Sequence, residues 1–341
     1  MSGGTEIAIR GEQFFINGAV TYPGVTWKGQ RIEGLLLNSR MVQGIFDDLN
    51  PETRGRWAYP DTGRWDADRN TDEFIAAMPS WRAHGVLAVT VNLQGGSPYG
   101  YSKDQPWINS AIAPDGSLRG DHMERLRRIL NAADELGMAV IVGLFYFGQE
   151  KELDDEAAVI RGVDNAVDWM LDQGHRNVLI EINNECNVRY RQPLLMPERV
   201  NELIARAQGK ERDGRRLLAG TSYGGGVVPG KEVVRQADFL LLHGNHVETP
   251  DRIREMVRQT RQVEGYTPKP ILFNEDDHFA FDQPDNNFIA AVDEYASWGF
   301  FDYRMEGERY NNGYQSVPVN WRISSERKRG FFNLARQITG Q

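Results

Sequence analysis

The strongest constraint on what this chain can fold into is an alternation that runs through its 341 residues. Short apolar runs rich in Val, Ile, Leu and Phe take turns with longer stretches in which apolar residues recur every three or four positions. A continuous run such as 138–145 suits a strand buried on both faces. The spacing of Met123, Leu126, Ile129, Leu130 and Ala133 suits a helix with one buried side. The N-terminus reads as a hairpin of 6–10 and 13–16 about Gly11-Glu12, with a second turn signal at Asn17-Gly18. The sequence then predicts strands over 19–23, 86–93, 138–145, 177–182, 217–221, 239–243, 271–273 and 300–304. Helices are predicted over 71–83, over the stretch that ends at Gly137, and over 155–171, 197–208, 231–236, 250–264, 286–298 and 324–338. Asn70 reads as the N-cap of the first, with Glu73 three residues on. Eight strand-then-helix units in series point to an α/β fold, a closed parallel (β/α)8 TIM barrel with an N-terminal β-hairpin, as one domain over 1–341. The alternative is an open doubly wound sheet. That fold carries a glycine-rich turn after its first strand, and no GxGxxG follows here.

Loop lengths are asymmetric. Helices run almost directly into strands, as Gly85 into Val86, Gly137 into Met138 and Gly299 into Phe300. Strand-to-helix connections are long, over 24–69, 94–121 and 305–323. A barrel gathers those connections on one face, where active sites sit. Function is therefore to be sought just after strand ends.

Composition narrows the chemistry. A lone Cys186 excludes an intramolecular disulfide and a CxxC zinc site, and it reads as a small buried filler. No stretch reaches 18 consecutive apolar residues, so no membrane-spanning helix is expected. The first residues, MSGGTEIAIRG, lack a basic segment before an apolar run, so the expected location is the cytoplasm, or outside the cell with the leader absent. A net charge of −9 argues against a polyanionic partner such as nucleic acid. Oligomeric state stays open. Trp57, Tyr59, Trp65, Tyr99, Tyr101 and Trp107 crowd the two longest loops, where aromatics either pack the loops or stack on sugar faces as outer subsites.

Two strand ends carry the chemistry. Residues 178–186 read VLIEINNEC and residues 270–278 read PILFNEDDH, so each buried strand closes on Asn-Glu. These are the fourth and seventh strands, whose ends face one another across a barrel mouth. Two carboxylates facing across a pocket suit glycoside hydrolysis, with retention at a separation of roughly 5–5.5 Å and inversion at roughly 6.5–9.5 Å. A general acid at Glu185 needs its pKa lifted from about 4.3 toward about 6, and an ionised Glu275 is the neighbouring charge that does so. Glu181 falls on the same side of its strand as Glu185 and reads as a structural carboxylate paired with a barrel Arg or Lys. A rival reading gathers His243, His246, Asp276, Asp277 and His278 into a metal site for a hydrolase or isomerase. Against it, no HxH or HExxH closes a strand. A third reading is a barrel that binds saccharide without cleaving it.

The two Asn-Glu strand ends, with Phe15-Ile16-Asn17-Gly18 in the hairpin, resemble the clan A glycoside hydrolases. This is the group of retaining (β/α)8 glycosidases that includes the family 5 cellulases and mannanases. The resemblance implies a retaining O-glycoside hydrolase that cleaves a β-linked glycan or glycoside through a covalent glycosyl-enzyme and needs no cofactor. It implies Glu275 as nucleophile and Glu185 as acid/base, with Asn184 bonding the sugar 2-hydroxyl and the nucleophile. It makes His243 the match for the residue after strand six, and leaves oligo- or polysaccharide as the partner. Gln94, Tyr223, Asn245 and His246 are the further strand-end residues expected to contact substrate. The sequence departs from the clan at several points. The usual His-x-Tyr is His243-x-Asn245, Cys186 stands where Pro is usual, and Asp276 follows the nucleophile. The aromatic platform of strand eight falls to Tyr303 or Trp321, and no Arg matches the one the clan carries on strand two. These departures fit a divergent family of the clan better than family 5 itself.

Overall fold

The structure, a computed structural model, describes residues 4–341. The N-terminal strands β1 (Ile7–Arg10) and β2 (Gln13–Ile16) pair antiparallel, and β3 (Ala19–Val20) adds to β2 as a third strand. A two-residue ribbon, β4 (Thr26–Trp27) and β5 (Gln30–Arg31), follows. The stretch read as the first barrel strand, 19–23, is thus the edge of this small sheet. The first barrel strand is β6 (Asn38–Arg40), entered through the buried run Leu35-Leu36-Leu37. Its own residues are polar and yet buried, which is why hydropathy hid it. Asn38 Nδ2 donates to the carbonyl of Phe273 at 3.1 Å and Ser39 Oγ to that of Phe300 at 3.2 Å, so hydrogen bonds offset part of the cost of burying them, Asn38 Oδ1 being left without a partner.

The remaining barrel strands are β7 (Ala88–Asn92), β8 (Ala139–Phe145), β9 (Val178–Asn183), β10 (Leu218–Gly220), β11 (Leu240–His243), β12 (Ile271–Glu275) and β13 (Gly299–Phe300). Six of the eight barrel strands form one parallel sheet in the order β10-β9-β8-β7-β6-β13, and β11 pairs with β12. Two single parallel bridges, Ser222 with Leu241 and Leu272 with Ser297, join the pair to the six and close the ring. Ser297 makes one joint: its N–H donates to Ile271 O, its carbonyl accepts from Phe273 N, and its Oγ accepts from Leu36 N at 2.7 Å. The fold is a (β/α)8 barrel, as the alternation predicts.

The outer helices are α1 (Ala67–Ala83), α2 (Gly120–Glu135), α3 (Glu156–Asp172), α4 (Val200–Gln208), α5 (Lys231–Gln236), α6 (Pro250–Gln262), α7 (Asn287–Asp293) and α8 (Glu326–Thr339). Helix α1 begins a turn earlier than its sequence signal. Asp66 caps it by accepting from Arg69 N, whereas Asn70 is buried and holds Gln43 O and Trp321 Nε1. Helix α7 stops at Asp293, short of the predicted 298, where Tyr295 turns to φ +55°. Most of the loop aromatics pack the loops: Trp57, Tyr59 and Trp107 are buried, and Trp57 meets Phe46, Tyr99 and Trp107 edge to face or tilted.

His122, in the first turn of α2, is buried, and its Nε2 meets no partner. Burial, with Arg125 and Arg119 nearby, pushes its pKa from 6.5 down to about 3. The unfolded chain therefore binds a proton in a pH range where the folded one does not. The stability this neutral ring preserves is complete above pH 6.5 and drains as pH falls toward 3, at about 1.4 kcal/mol per pH unit. Urea unfolding at pH 7 and pH 4.5 is expected to differ by about 2–3 kcal/mol from this residue. His122→Asn should flatten the dependence; parallel pH curves for wild type and variant would show that the slope arises elsewhere.

Candidate active site

Glu185 lies two residues past the end of β9 in a left-handed backbone conformation, φ +51°. A glutamate held there costs energy of order 1 kcal/mol or more, a strain found at functional sites. Its N–H donates to Ser222 Oγ at 2.9 Å, and Ser222 Oγ in turn donates to Glu181 Oε1 at 2.6 Å. Glu275 ends β12, 5 % exposed. His243 ends β11 after a bulge between Leu242 and His243 that sets it opposite Glu275 in the register. His243 Nδ1 sits 3.0 Å from Glu185 Oε1 and 3.7 Å from Glu275 Oε2. One oxygen of each glutamate and one nitrogen of His243 all lie within 4.8 Å of one another.

Arg40, at the end of β6 and 1 % exposed, ties the site together. Its Nε lies 2.5 Å from Glu275 Oε2, one terminal nitrogen donates to Asn184 Oδ1 at 2.5 Å, and the other lies 3.4 Å from Glu181 Oε2. Glu181 is fully buried and is the structural carboxylate its position implied. The other oxygen of Glu275 accepts from Asn245 Nδ2 at 2.5 Å. Asn245 Nδ2 also donates to Tyr101 Oη at 2.8 Å, and Tyr101 donates to Asp277 at 2.9 Å. Asn245 thus bonds Glu275 directly, and a tyrosine from the β7–α2 loop backs it. The link between His243 and Asn245 has to be glycine, because a Cβ on Gly244 would lie 2.0 Å from an Asp276 oxygen.

The protonation of the trio follows from these contacts. Burial, and then the negative Glu185, push Glu275 above the usual carboxylate range, while Arg40, His243 and Asn245 pull it back. Both of its oxygens face donors, so the form the site satisfies is the carboxylate. Contrary to the lifted pKa expected of a general acid at this position, Glu185 is held below the ordinary value: burial opposes its charge, but His243, followed by Arg40 and His246, outweighs burial. Burial disfavours a charged His243, yet the two glutamates raise its pKa. Glu185 and His243 therefore behave as one hydrogen-bonded pair that shares a proton.

The structure separates the other expected residues. His246 is exposed, lines the cleft and lies tilted over Tyr101 at 5.5 Å. Asn184 bonds Arg40 rather than Glu275. Gln94 is buried beneath the cleft, bonding Tyr146 N and Ser110. Tyr223 is buried against Cys186 and Gly230. Tyr303 stands behind Tyr101, ring centroids 5.1 Å apart, and Phe301 lines the cleft in its place. Trp321 is buried against Phe74 and Tyr314, far from any platform role. The five-residue metal cluster is not assembled as one site: Asp276, Asp277 and His278 come within 4.8 Å of one another, but His243 and His246 are not part of that group. His243 belongs to the glutamate pair, and Asp276 is saturated by His278, Asn287 and Trp298. The Glu185–His243–Glu275 trio suits a cation poorly too, since Arg40 and Asn245 already take both Glu275 oxygens.

The sequence reading missed Arg40, Tyr146, Phe147 and Gln315, all of which line the cleft of about 310 Å³, as does Tyr101, one of the six loop aromatics it named as sugar-stacking candidates. Only Tyr146 and Phe147 carried a signal, as the residues directly after the apolar run of β8.

The sequence matches no protein-family model and no curated protein. The fold does have solved counterparts. The β-mannanase from the blue mussel Mytilus edulis is 12% identical over 99% of this chain and 97% of its own, with a TM-score of 0.56. The endo-1,4-β-mannanase from Rhizomucor miehei is 11% identical over 98% of this chain and 100% of its own, also at 0.56. A family 5 glycoside hydrolase from Bacteroides vulgatus is 12% identical over 97% of this chain and 70% of its own, at 0.58. The barrel of this chain has the architecture of the clan A glycoside hydrolases.

Proposed function

We propose that the protein is a retaining glycoside hydrolase acting on a β-linked glycan. The observation that carries this is the pair of strand-end carboxylates, of which one oxygen of each lies within 4.8 Å of the other, a close approach of the kind a retaining pair makes. Glu275, held by Arg40 and Asn245, attacks the anomeric carbon. The Glu185–His243 pair supplies the proton to the departing oxygen. Glu185 then takes a proton from the water that releases the sugar, and two inversions give net retention. Tyr146, buried beside both glutamates, is placed to face the reacting sugar. Two of the similar structures are mannanases, so β-mannans head the substrate panel, followed by β-glucans, xylans, galactans and aryl β-glycosides.

The test is to follow product anomers by proton NMR on whichever substrate is cleaved. The β-anomer is expected first. A first-formed α-anomer would sink the double-displacement reading. On that substrate kcat/KM should keep an alkaline limb above pH 6.5, the ordinary value that His243 exceeds.

A further inference from the structure

The catalytic cleft does not end at Tyr146. It shares Phe147 and Arg189 with a second hollow of about 230 Å³, and these two with Lys103 also line a third, again about 230 Å³. The three form one groove that leads from the glutamate pair past an aromatic floor. Tyr146 and Phe147 lie 4.4 Å apart in that floor. The far end of the groove is lined by Lys103, Lys151, Arg189 and Arg191. Two acids are present there, Asp104 and Glu150. Glu150 is spent on the backbone, accepting from Gly148 N at 3.0 Å and Arg191 N at 2.8 Å. Lys103, Arg189 and Arg191 are exposed and none makes an ion pair among the described residues; Lys151 donates to the carbonyl of Gln105. Arg189 is held over the Phe147 ring at 5.3 Å by a left-handed backbone, φ +50°, four residues after Glu185. A chain of net charge −9 has therefore gathered four cations along one arm of its cleft. It has fixed one of them in a strained conformation beside the catalytic turn.

We propose that this arm is a subsite for an anionic sugar unit, carrying a carboxylate or a sulfate, of the glycan that the Glu185–Glu275 pair cleaves. The aromatic floor takes the face of the ring, and the guanidinium forks of Arg189 and Arg191 take the anionic group. The proposal rests on the glycosidase reading for what happens at the glutamates, and its test separates the two.

Binding is measured first, without turnover, by calorimetry on the Glu275→Gln variant. The probes are a β-1,4-linked oligosaccharide containing glucuronate, the same oligosaccharide after carboxyl reduction, and its sulfated derivative. The uronate or the sulfated form should bind about 10-fold tighter than the neutral one, the scale of one charge-assisted contact. The gap should shrink as salt rises from 50 to about 300 mM. Whichever anionic form is favoured identifies the group. Adding Arg189→Gln and Arg191→Gln should bring the anionic-to-neutral ratio near one, and removing a distant exposed charge by Arg329→Gln should not move it. Equal binding of all three probes, or a preference that survives the double substitution, would overturn the subsite. If the preference is present but wild type cleaves none of the probes, the subsite stands and the glycosidase reading is at fault. If wild type cleaves the neutral form as well as the acidic one and binds them alike, the reverse holds.

Discussion

Replacement of Glu275 by alanine is expected to lower kcat by about 10⁵-fold on any substrate the enzyme cleaves, the scale seen when a covalent nucleophile is removed. The argument is geometric. Glu275 Oε1 and Oε2 are each fixed by a donor, Asn245 on one side and Arg40 on the other, so the attacking atom is oriented before substrate arrives. With the carboxylate gone, a small anion such as azide can enter the vacated space. On an aryl glycoside with a good leaving group it should restore part of the rate and give a glycosyl azide of inverted configuration. Glu185→Ala should behave differently: aryl glycosides with good leaving groups still react in the first step, whereas unactivated glycans do not, because only they need the proton. Because Glu275→Ala leaves Arg40 without its closest anion, folding is checked by circular dichroism, with Glu275→Gln as the gentler partner. A folded Glu275→Ala enzyme within tenfold of the wild-type rate would remove Glu275 from the role of nucleophile.

The second large effect is expected at Arg40. Arg40→Met leaves Glu275 and Glu181 as buried charges and Asn184 Oδ1 without its donor. Breaking a buried ion pair by deleting one partner costs about 3–5 kcal/mol, and urea unfolding measures this directly. Catalysis should suffer for a separate reason. Arg40 is the strongest of the groups that oppose the effect of burial on Glu275. Without it the Glu275 pKa climbs further, so the acidic limb of the kcat/KM profile moves to higher pH, and kcat/KM falls by about 10²-fold or more, the scale of a lost electrostatic stabiliser. Arg40→Lys keeps the charge without the three-way fork and should lie between. A variant that keeps its acidic limb and loses under 1 kcal/mol would show that Arg40 is neither a clamp nor a keystone.

The parts of the fold that were legible in the sequence are those where one physical signal acted alone. The strand β8 and the helix α2 have unmixed periodicity. The Asn-Glu endings of β9 and β12 stand out because each polar pair interrupts an apolar run. What stayed hidden was wherever burial and polarity coincide. Strand β6 is Asn-Ser-Arg, buried throughout; its backbone pairs with β7 and β13, and its polar side chains bond Phe273 and Phe300, partners that only the barrel supplies. That error carried Arg40 with it, since a residue read as loop is not sought as the clamp of a nucleophile. Tyr101 was named among the loop aromatics, but its place behind the nucleophile was hidden for another reason. It reaches Asn245 from a loop 144 residues away, and no local pattern encodes such a meeting. Trp321 shows the converse: size and position near the last strand suggested a sugar platform, but its indole N–H is committed to Asn70 and its ring to the core.

The ring is assembled from a six-strand part and a two-strand part. Glu185 and Arg40 ride on the first, Glu275 and His243 on the second, and the edges are joined by the single bridges Ser222–Leu241 and Leu272–Ser297 together with bonds such as Asn38 Nδ2 to Phe273 O and Phe301 N to Asp276 O. The gap between the two carboxylates is therefore a fit between two components rather than a dimension of either. Fits of that kind are adjusted at the joint. A small change in side-chain volume at Ser297, which does not line the cleft, is expected to alter the clearance between Glu185 and Glu275. For anyone who wishes to widen that clearance until a water molecule fits, and so exchange one stereochemical outcome for the other, the seam is the adjustment screw.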